Sequence, residues 1–392
     1  MRMRTKWVSI ILFSVSTLSY SETYNPQDDT INNQYQSVII NPDGTISFCY
    51  CGTGKRVSVQ SDLFYADEDS LCYVDRTRRL KMHKDTDGCF RVKTKPVSPE
   101  MYTYCFRIDG KRTPDIMNID TAWQKMHKWN VISISGSEYS DIYLPPIQQG
   151  ELIRTRWFST EEKLYRRVNI YLPAAYSSDS ISSFPVLYIL HGINGYEGSW
   201  AERGRAIHIL ENLVENGEIA PFILVMPDCN VYPHEDRPSH HTLFNNIMHY
   251  SRLVRNHQIE HSISELIQMV DTTYRVSGQN YIAGLSDGAR MAANIVNNHP
   301  DKFTAIGMFS PVVHKSQLPS AENHNIDYYV YVGKQDMFYF NGKRFSKLLE
   351  NEISKRNTKN DNICYYYCES TGGHNWRNWR RYLADFLRRI AK

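Results

Sequence analysis

The sequence predicts an α/β fold with a mostly parallel sheet, preceded by a small all-β sandwich domain. Three observations carry that prediction. After residue 150, short apolar runs recur with amphipathic helical stretches between them. Before residue 137, the runs are rich in β-branched and aromatic residues and are bounded by turn signals. A Gly-x-Ser-x-Gly sequence also sits between one of the later apolar runs and a helical stretch.

The chain starts with a cationic segment, Met1 to Lys6, and an apolar one, Trp7 to Leu18. Ser19 and Ser21 are small residues at −3 and −1 of a cut before Glu22, so residues 1–21 read as a signal peptide for export to the periplasm or beyond. Three of the 45 Lys and Arg (Arg2, Arg4 and Lys6) lie in that segment, which leaves 42 cations against 42 acids. A balanced charge argues against nucleic-acid or membrane-surface binding. No run of 18 apolar residues occurs, so no membrane span is expected.

Residues 30–136 read as the sandwich. GTISFCYCG (44–52), RVSVQSDLF (56–64), CFRVKTKPV (89–97) and MYTYCFRIDGKR (101–112) are strand-like and are separated by PDG, TDG, SPE and DG turns. Residues 137–150 read as a linker stiffened by Pro145 and Pro146. From 151 to 392 the strand-like segments are 184–192, 221–228, 280–288, 305–312, 327–336 and 363–370, and 206–217 and 380–391 are among the helices between them. Alternation of this kind implies a sheet covered by helices on both faces.

Export makes the eight cysteines (49, 51, 72, 89, 105, 229, 364 and 368) candidates for disulfides. None forms a CxxC pair for zinc, and their spacing does not fix a connectivity. Cys49 and Cys51 are two apart in a strand-like run, so their side chains share a face.

The chemistry centres on Gly284-Leu285-Ser286-Asp287-Gly288. A strand before it and a helix after it are the context of a nucleophile elbow, in which a strained turn presents the serine. A serine hydroxyl needs a base, and the base needs a group to hold its tautomer. Asp336 stands at the end of the 327–333 strand, and His374 follows the next strand, in the order Ser, Asp, His. Backbone N–H groups of Asp287 and of Ile193, in the loop His191-Gly192-Ile193-Asn194-Gly195, are the candidate oxyanion donors. That loop has neither G-x-G-x-x-G nor a P-loop lysine, which argues against a phosphate cradle. A competing motif, His257-Gln258-Ile259-Glu260-His261, fits an inverted zinc-peptidase pattern. It lies in a stretch that also holds His234, His240, His241 and His249, but it accounts for none of the α/β order around it.

With these residues in place, the region from about 150 to 390 resembles the esterase-D/feruloyl-esterase family of α/β-hydrolases, which includes carbohydrate esterase family one. ELIRTRWFS, RRVNIYLPAAY, FPVLYILHGINGYEGSW, YRVSGQNYIAGLSDGA, FSPVV, VGKQD and GGHNWRNWRRYL follow its pattern in order. The leading β domain resembles the glycogen-binding-like sandwich of many xylan-associated members. The family usually carries G-L-S-M-G-G, whereas Asp287 and Ala289 stand here for Met and the last Gly. The Asp287 carboxylate is therefore expected to turn away from the oxyanion. The segment from Cys229 to Asn246 follows no family pattern.

The resemblance implies an exported serine esterase with Ser286, His374 and Asp336 as its triad and Ile193 and Asp287 as its oxyanion donors. Its implied partner is an acylated oligo- or polysaccharide, and it needs no metal or cofactor. Feruloyl esters of arabinoxylan come first, acetyl esters of xylan second and a catecholate siderophore ester of the enterochelin type third. A glycan-binding protein with an inactive hydrolase domain is the reading from another class.

Overall fold

The computed structural model describes residues 35–65, 77–124, 127–193, 195–230, 259–319, 325–356 and 363–391. Residues 1–21, read above as a signal peptide, and Cys72, Asn194, His257 and the histidines from 234 to 249 lie outside the described residues.

The first ten strands are β1 (Val38–Ile40), β2 (Ile46–Tyr50), β3 (Val57–Ser61), β4 (Arg78–Lys81), β5 (His83–Lys84), β6 (Phe90–Lys93), β7 (Met101–Ile108), β8 (Lys111–Thr113), β9 (Thr121–Gln124) and β10 (His127–Ser133). They form two antiparallel sheets, ordered β1-β2-β6-β5 and β4-β3-β7-β10-β9, with β8 added on β7. Alternate residues of facing strands, among them Ile46, Phe48, Val59, Tyr104 and Phe106, meet in a shared core. The run from 101 to 112 is a hairpin and not one strand. Asp109 and Gly110 turn it, both with positive φ (49° and 90°).

Cys51 and Cys89 form a disulfide joining the end of β2 to the start of β6. Cys49 Sγ lies 3.7 Å from Cys51 Sγ, which is the shared face that their spacing requires. Closing a loop with a sequence separation of 38 restricts the unfolded chain by about 2–4 kcal/mol. A Cys51→Ser/Cys89→Ser double variant is therefore expected to lose about that much stability in denaturant titration. Reductant should destabilise the wild type to the same level and leave the variant unchanged.

The segment after β10 is more than a tether. Ser137 caps a helical turn, α1 (Glu138–Asp141), and Ile142 and Tyr143 are buried just beyond it. Then follow β11 (Glu151–Ser159), β12 (Leu164–Leu172), α2 (Ala174–Ser178), β13 (Phe184–Leu190), α3 (Ser199–Glu202), α4 (Ala206–Glu215) and β14 (Ile223–Pro227). The rest of the order is α5 (Ile259–Thr273), β15 (Val276–Leu285), α6 (Asp287–Asn298), β16 (Ala305–Phe309), β17 (Asp327–Gly333), α7 (Tyr339–Arg356), β18 (Tyr365–Ser370) and α8 (Trp376–Ile390).

The sheet runs β11-β12-β14-β13-β15-β16-β17-β18. Its first two pairings with β12 are antiparallel, and all pairings from β14 to β18 are parallel. Strands β13, β14 and β16 are buried almost throughout, because helices cover both faces. One face packs on α5, α6 and α7, and the other on α4 and α8.

Met101, Ala122 and Val131 of the β region belong to the same apolar cluster as the α4–α8 face. Polar contacts reinforce that junction. Glu100 is almost fully buried and accepts from Arg380 at 3.0 Å and Arg381 at 3.1 Å, with Arg377 at 3.4 Å. Arg205 pairs with Asp120, and the Trp123 N–H donates to Glu202 Oε2 at 2.8 Å. The β9–β10 hairpin is thereby held against α3. No helix among the described residues is long and apolar enough to cross a membrane.

Candidate active site

Ser286 sits between β15 and α6 with φ 56° and ψ −119°, a conformation that non-glycine residues adopt only under constraint. The constraint comes from its neighbours. A Cβ on Gly284 would lie 2.3 Å from the Gly288 carbonyl, and one on Gly288 would lie 2.6 Å from the His191 carbonyl. Both glycines are therefore needed for strand, helix and His191 loop to converge. The Ser286 N–H is anchored to the Phe309 carbonyl at 2.8 Å.

The next turn of the sheet edge supplies the partners. His374 Nε2 lies 3.0 Å from Ser286 Oγ, and His374 Nδ1 lies 3.0 and 3.1 Å from the two Asp336 oxygens. Asp336 is buried and also accepts the Phe338 N–H at 2.8 Å. The three residues that chain order grouped thus form one hydrogen-bonded relay at the C-terminal ends of β15, β17 and β18.

Several supports were not visible in the sequence. Gln335 receives the Gly372 N–H at 2.6 Å, while its own N–H donates to the Gly372 carbonyl at 3.1 Å. This stitches the aspartate loop to the histidine loop. The His374 ring is flanked edge-on by Phe338 at 5.1 Å and Trp379 at 5.0 Å. Trp379 is fixed by donating Nε1–H to Ser310 Oγ at 3.1 Å. It also meets Trp376, which in turn meets Trp200, each edge-to-face at 5.2 Å.

Asp287 opens α6, so its N–H is at the positive end of a 12-residue helix. Its carboxylate accepts from Arg290 Nε at 2.7 Å, three residues along the helix. Ile193 lines the cleft and is half exposed. Gly192 beside it packs so closely that a Cβ would lie 3.1 Å from Ser286 Cβ. His191 holds that loop: its Nε2 accepts the Cys229 N–H at 2.9 Å, and its Nδ1 lies 2.8 Å from the Gly192 carbonyl. An acceptor Nε2 requires the proton on Nδ1, so the ring is neutral and donates to Gly192.

The cleft over Ser286 holds about 370 Å³, and its wall includes Trp123, Tyr196, Arg203, Phe338 and Trp376. Trp123 comes from β9, far from the other lining residues in sequence. Trp123→Ala is expected to raise KM for an aromatic ester about three- to tenfold. It should leave kcat on a small aliphatic ester, which has no ring to set against the indole, nearly unchanged. Equal KM values for wild type and variant on the aromatic ester would remove Trp123 from the binding surface.

Glu260 of the competing motif is engaged by Arg290 at 3.4 Å and Asn294 at 2.9 Å. Its partner histidines lie outside the described residues, His261 by its side chain. Among the described residues, the one group of potential metal ligands is Cys49, Cys51 and Cys89, two of which form the disulfide.

A mixed eight-stranded sheet with this strand order, flanked by helices and carrying a strained serine after β15, is an α/β-hydrolase. Residues 159–390 match the Esterase family, well over half of the chain, and the protein belongs to that family. That family is one of esterases.

An endo-1,4-beta-xylanase/feruloyl esterase of Xylanibacter ruminicola is 25% identical over 240 residues, which cover 58% of this chain and 31% of that protein. The chain thus spans about a third of that relative's length. Among solved structures, the enterobactin esterase of Shigella flexneri aligns over 88% of this chain and 93% of its own, with TM-score 0.55 and 15% identity. A ferulic acid esterase aligns over 62% of this chain and 98% of its own, with TM-score 0.49 and 22% identity. These structural likenesses are likenesses of fold.

Proposed function

We propose that the protein is an exported serine esterase that releases aromatic acids, feruloyl groups first, from plant cell-wall arabinoxylan. The observation that carries this reading is the Ser286–His374–Asp336 relay at the base of an aromatic-walled cleft of about 370 Å³. Ser286 Oγ attacks the ester carbonyl as His374 Nε2 takes its proton. Asp336 holds the imidazolium through Nδ1, and the N–H groups of Ile193 and Asp287 receive the oxyanion. His374 then protonates the departing sugar oxygen. A water activated by the same ring splits the acyl-enzyme.

The cleft volume and its five lining aromatics favour a hydroxycinnamoyl group over an acetyl group, which would leave most of that surface wet. The 25% identity to a protein described as a xylanase/feruloyl esterase points to the same substrate. The Cys51–Cys89 disulfide supports an oxidising, extracytoplasmic location.

One observation favours a second reading, hydrolysis of a catecholate siderophore ester: a buried arginine, Arg203, is among the residues lining the cleft, with its guanidinium 5.8 Å from the Trp376 ring. The test is ferulate release from feruloylated arabinoxylan oligosaccharides set against cleavage of a siderophore trilactone. Faster turnover of the trilactone would replace the first reading by the second, and inertness toward both would reject the two together.

A further inference from the structure

We propose that a second cavity beside the cleft is a subsite for a carboxylate carried by the sugar chain of the substrate. It holds about 240 Å³ and lies between the loop after β16 and the first turns of α7. Val312 lines the cleft, and the next residue, Val313, lines this cavity. The two linings therefore meet along the chain at the Val312–Val313 step, and the Val312 N–H donates to the Ser286 carbonyl at 3.4 Å.

The helical wall follows from spacing. Asn341, Arg344, Phe345 and Leu348 fall on one face of α7, three and four residues apart. Buried Val313 and Phe345 make an apolar floor, and the Asn341 amide fixes the loop by bonding the Val313 N–H and carbonyl. The rim is made by exposed His314, Lys315 and Arg344. Among the described residues, no acidic residue lines the cavity, and neither Lys315 nor Arg344 is ion-paired. Two cations at the mouth of a concavity attract an anion, and a guanidinium fits a carboxylate in two-point fashion. On the serine-esterase reading, which places the scissile ester at Ser286, the group arriving here belongs to a neighbouring sugar. The sugar chemistry that supplies a carboxylate is a uronic acid branch.

The test compares a feruloylated xylo-oligosaccharide bearing glucuronic acid with its carboxyl-reduced counterpart, in wild type and in a Lys315→Ala/Arg344→Ala variant. The wild type is expected to favour the acidic oligosaccharide about three- to tenfold in KM, an advantage that shrinks with salt. The variant should lose that preference and keep wild-type rates on methyl ferulate. Equal KM for the two oligosaccharides in the wild type overturns the proposal. So does a variant that alters inhibition by free ferulate alone, because the cavity then serves the released acid. Calorimetric titration of Ser286→Ala with a non-feruloylated glucuronic acid-bearing xylo-oligosaccharide tests the subsite without turnover. Failure of hydrolysis in the wild type, with that binding intact, sinks the esterase assignment alone, whereas absence of that binding sinks the subsite.

Discussion

On the proposed function, Ser286→Ala is expected to lower kcat on methyl ferulate by about 10⁴-fold or more, with KM little changed. The Oγ atom is the only part of that side chain that differs, and it is the atom 3.0 Å from His374 Nε2. Alanine at this position keeps the same Cβ and so adds no new steric conflict in the turn. What remains in the variant is the cleft and the two proposed backbone donors, which alone are expected to give a small residual rate. His374→Ala is expected to cost nearly as much, and the double variant little more than either, because the two residues act as one unit. Initial rates on methyl ferulate, with near-ultraviolet circular dichroism to verify folding, check this. A folded Ser286→Ala protein that retains even a tenth of the wild-type kcat would show that another group is the nucleophile.

Glu100→Ala destabilises the protein by about 3–5 kcal/mol, the cost of leaving buried charge without its partner. Arg380 is as buried as Glu100, so its guanidinium cannot turn to water when the carboxylate goes. Burial pushes the Glu100 pKa up, but Arg380, Arg377 and Arg381 outweigh it and hold the group below the usual carboxylate range. A carboxyl with a depressed folded pKa contributes stability that is complete above its unfolded value, near 4.3, and fades as pH falls through the folded value. The wild type should therefore lose stability below about pH 4 more steeply than Glu100→Ala does. Urea titrations at pH 7 and pH 3.5 measure both effects. Glu100→Gln separates charge from packing, since it keeps the volume and removes the charge. A change within 1 kcal/mol for both variants would show that the arginines find solvent or other partners.

The strands of the parallel part of the second half were readable because strands buried on both faces are continuously apolar, as in 223–227 and 305–309. The antiparallel hairpin β11–β12 was harder to see. It is an edge with exposed charged residues such as Glu151 and Arg156, so its composition does not stand out from a loop. Residues 137–150 looked like a linker through their prolines, yet Tyr143 is buried against the α4–α8 layer, a contact that depends on where distant segments fold. At the site, Ser286, Asp336 and His374 could be grouped from chain order, because each follows a strand of one parallel sheet. Gln335, Ser310 and Trp379 could not, since their value lies in hydrogen bonds to residues from other loops. Trp123 is 163 residues from Ser286 in sequence, and only the seating of the β9–β10 hairpin on α3 brings it to the cleft.

The ring contacts beside the relay have an optical consequence. Trp200, Trp376 and Trp379 meet edge to face in a row that ends on the His374 imidazole, 5.0 Å from the last indole. Excited indoles this close exchange energy, and a protonated imidazole quenches indole emission more strongly than a neutral one. A change of charge on that one ring is therefore expected to alter the emission of these three indoles, which would make the state of the relay observable without an added label.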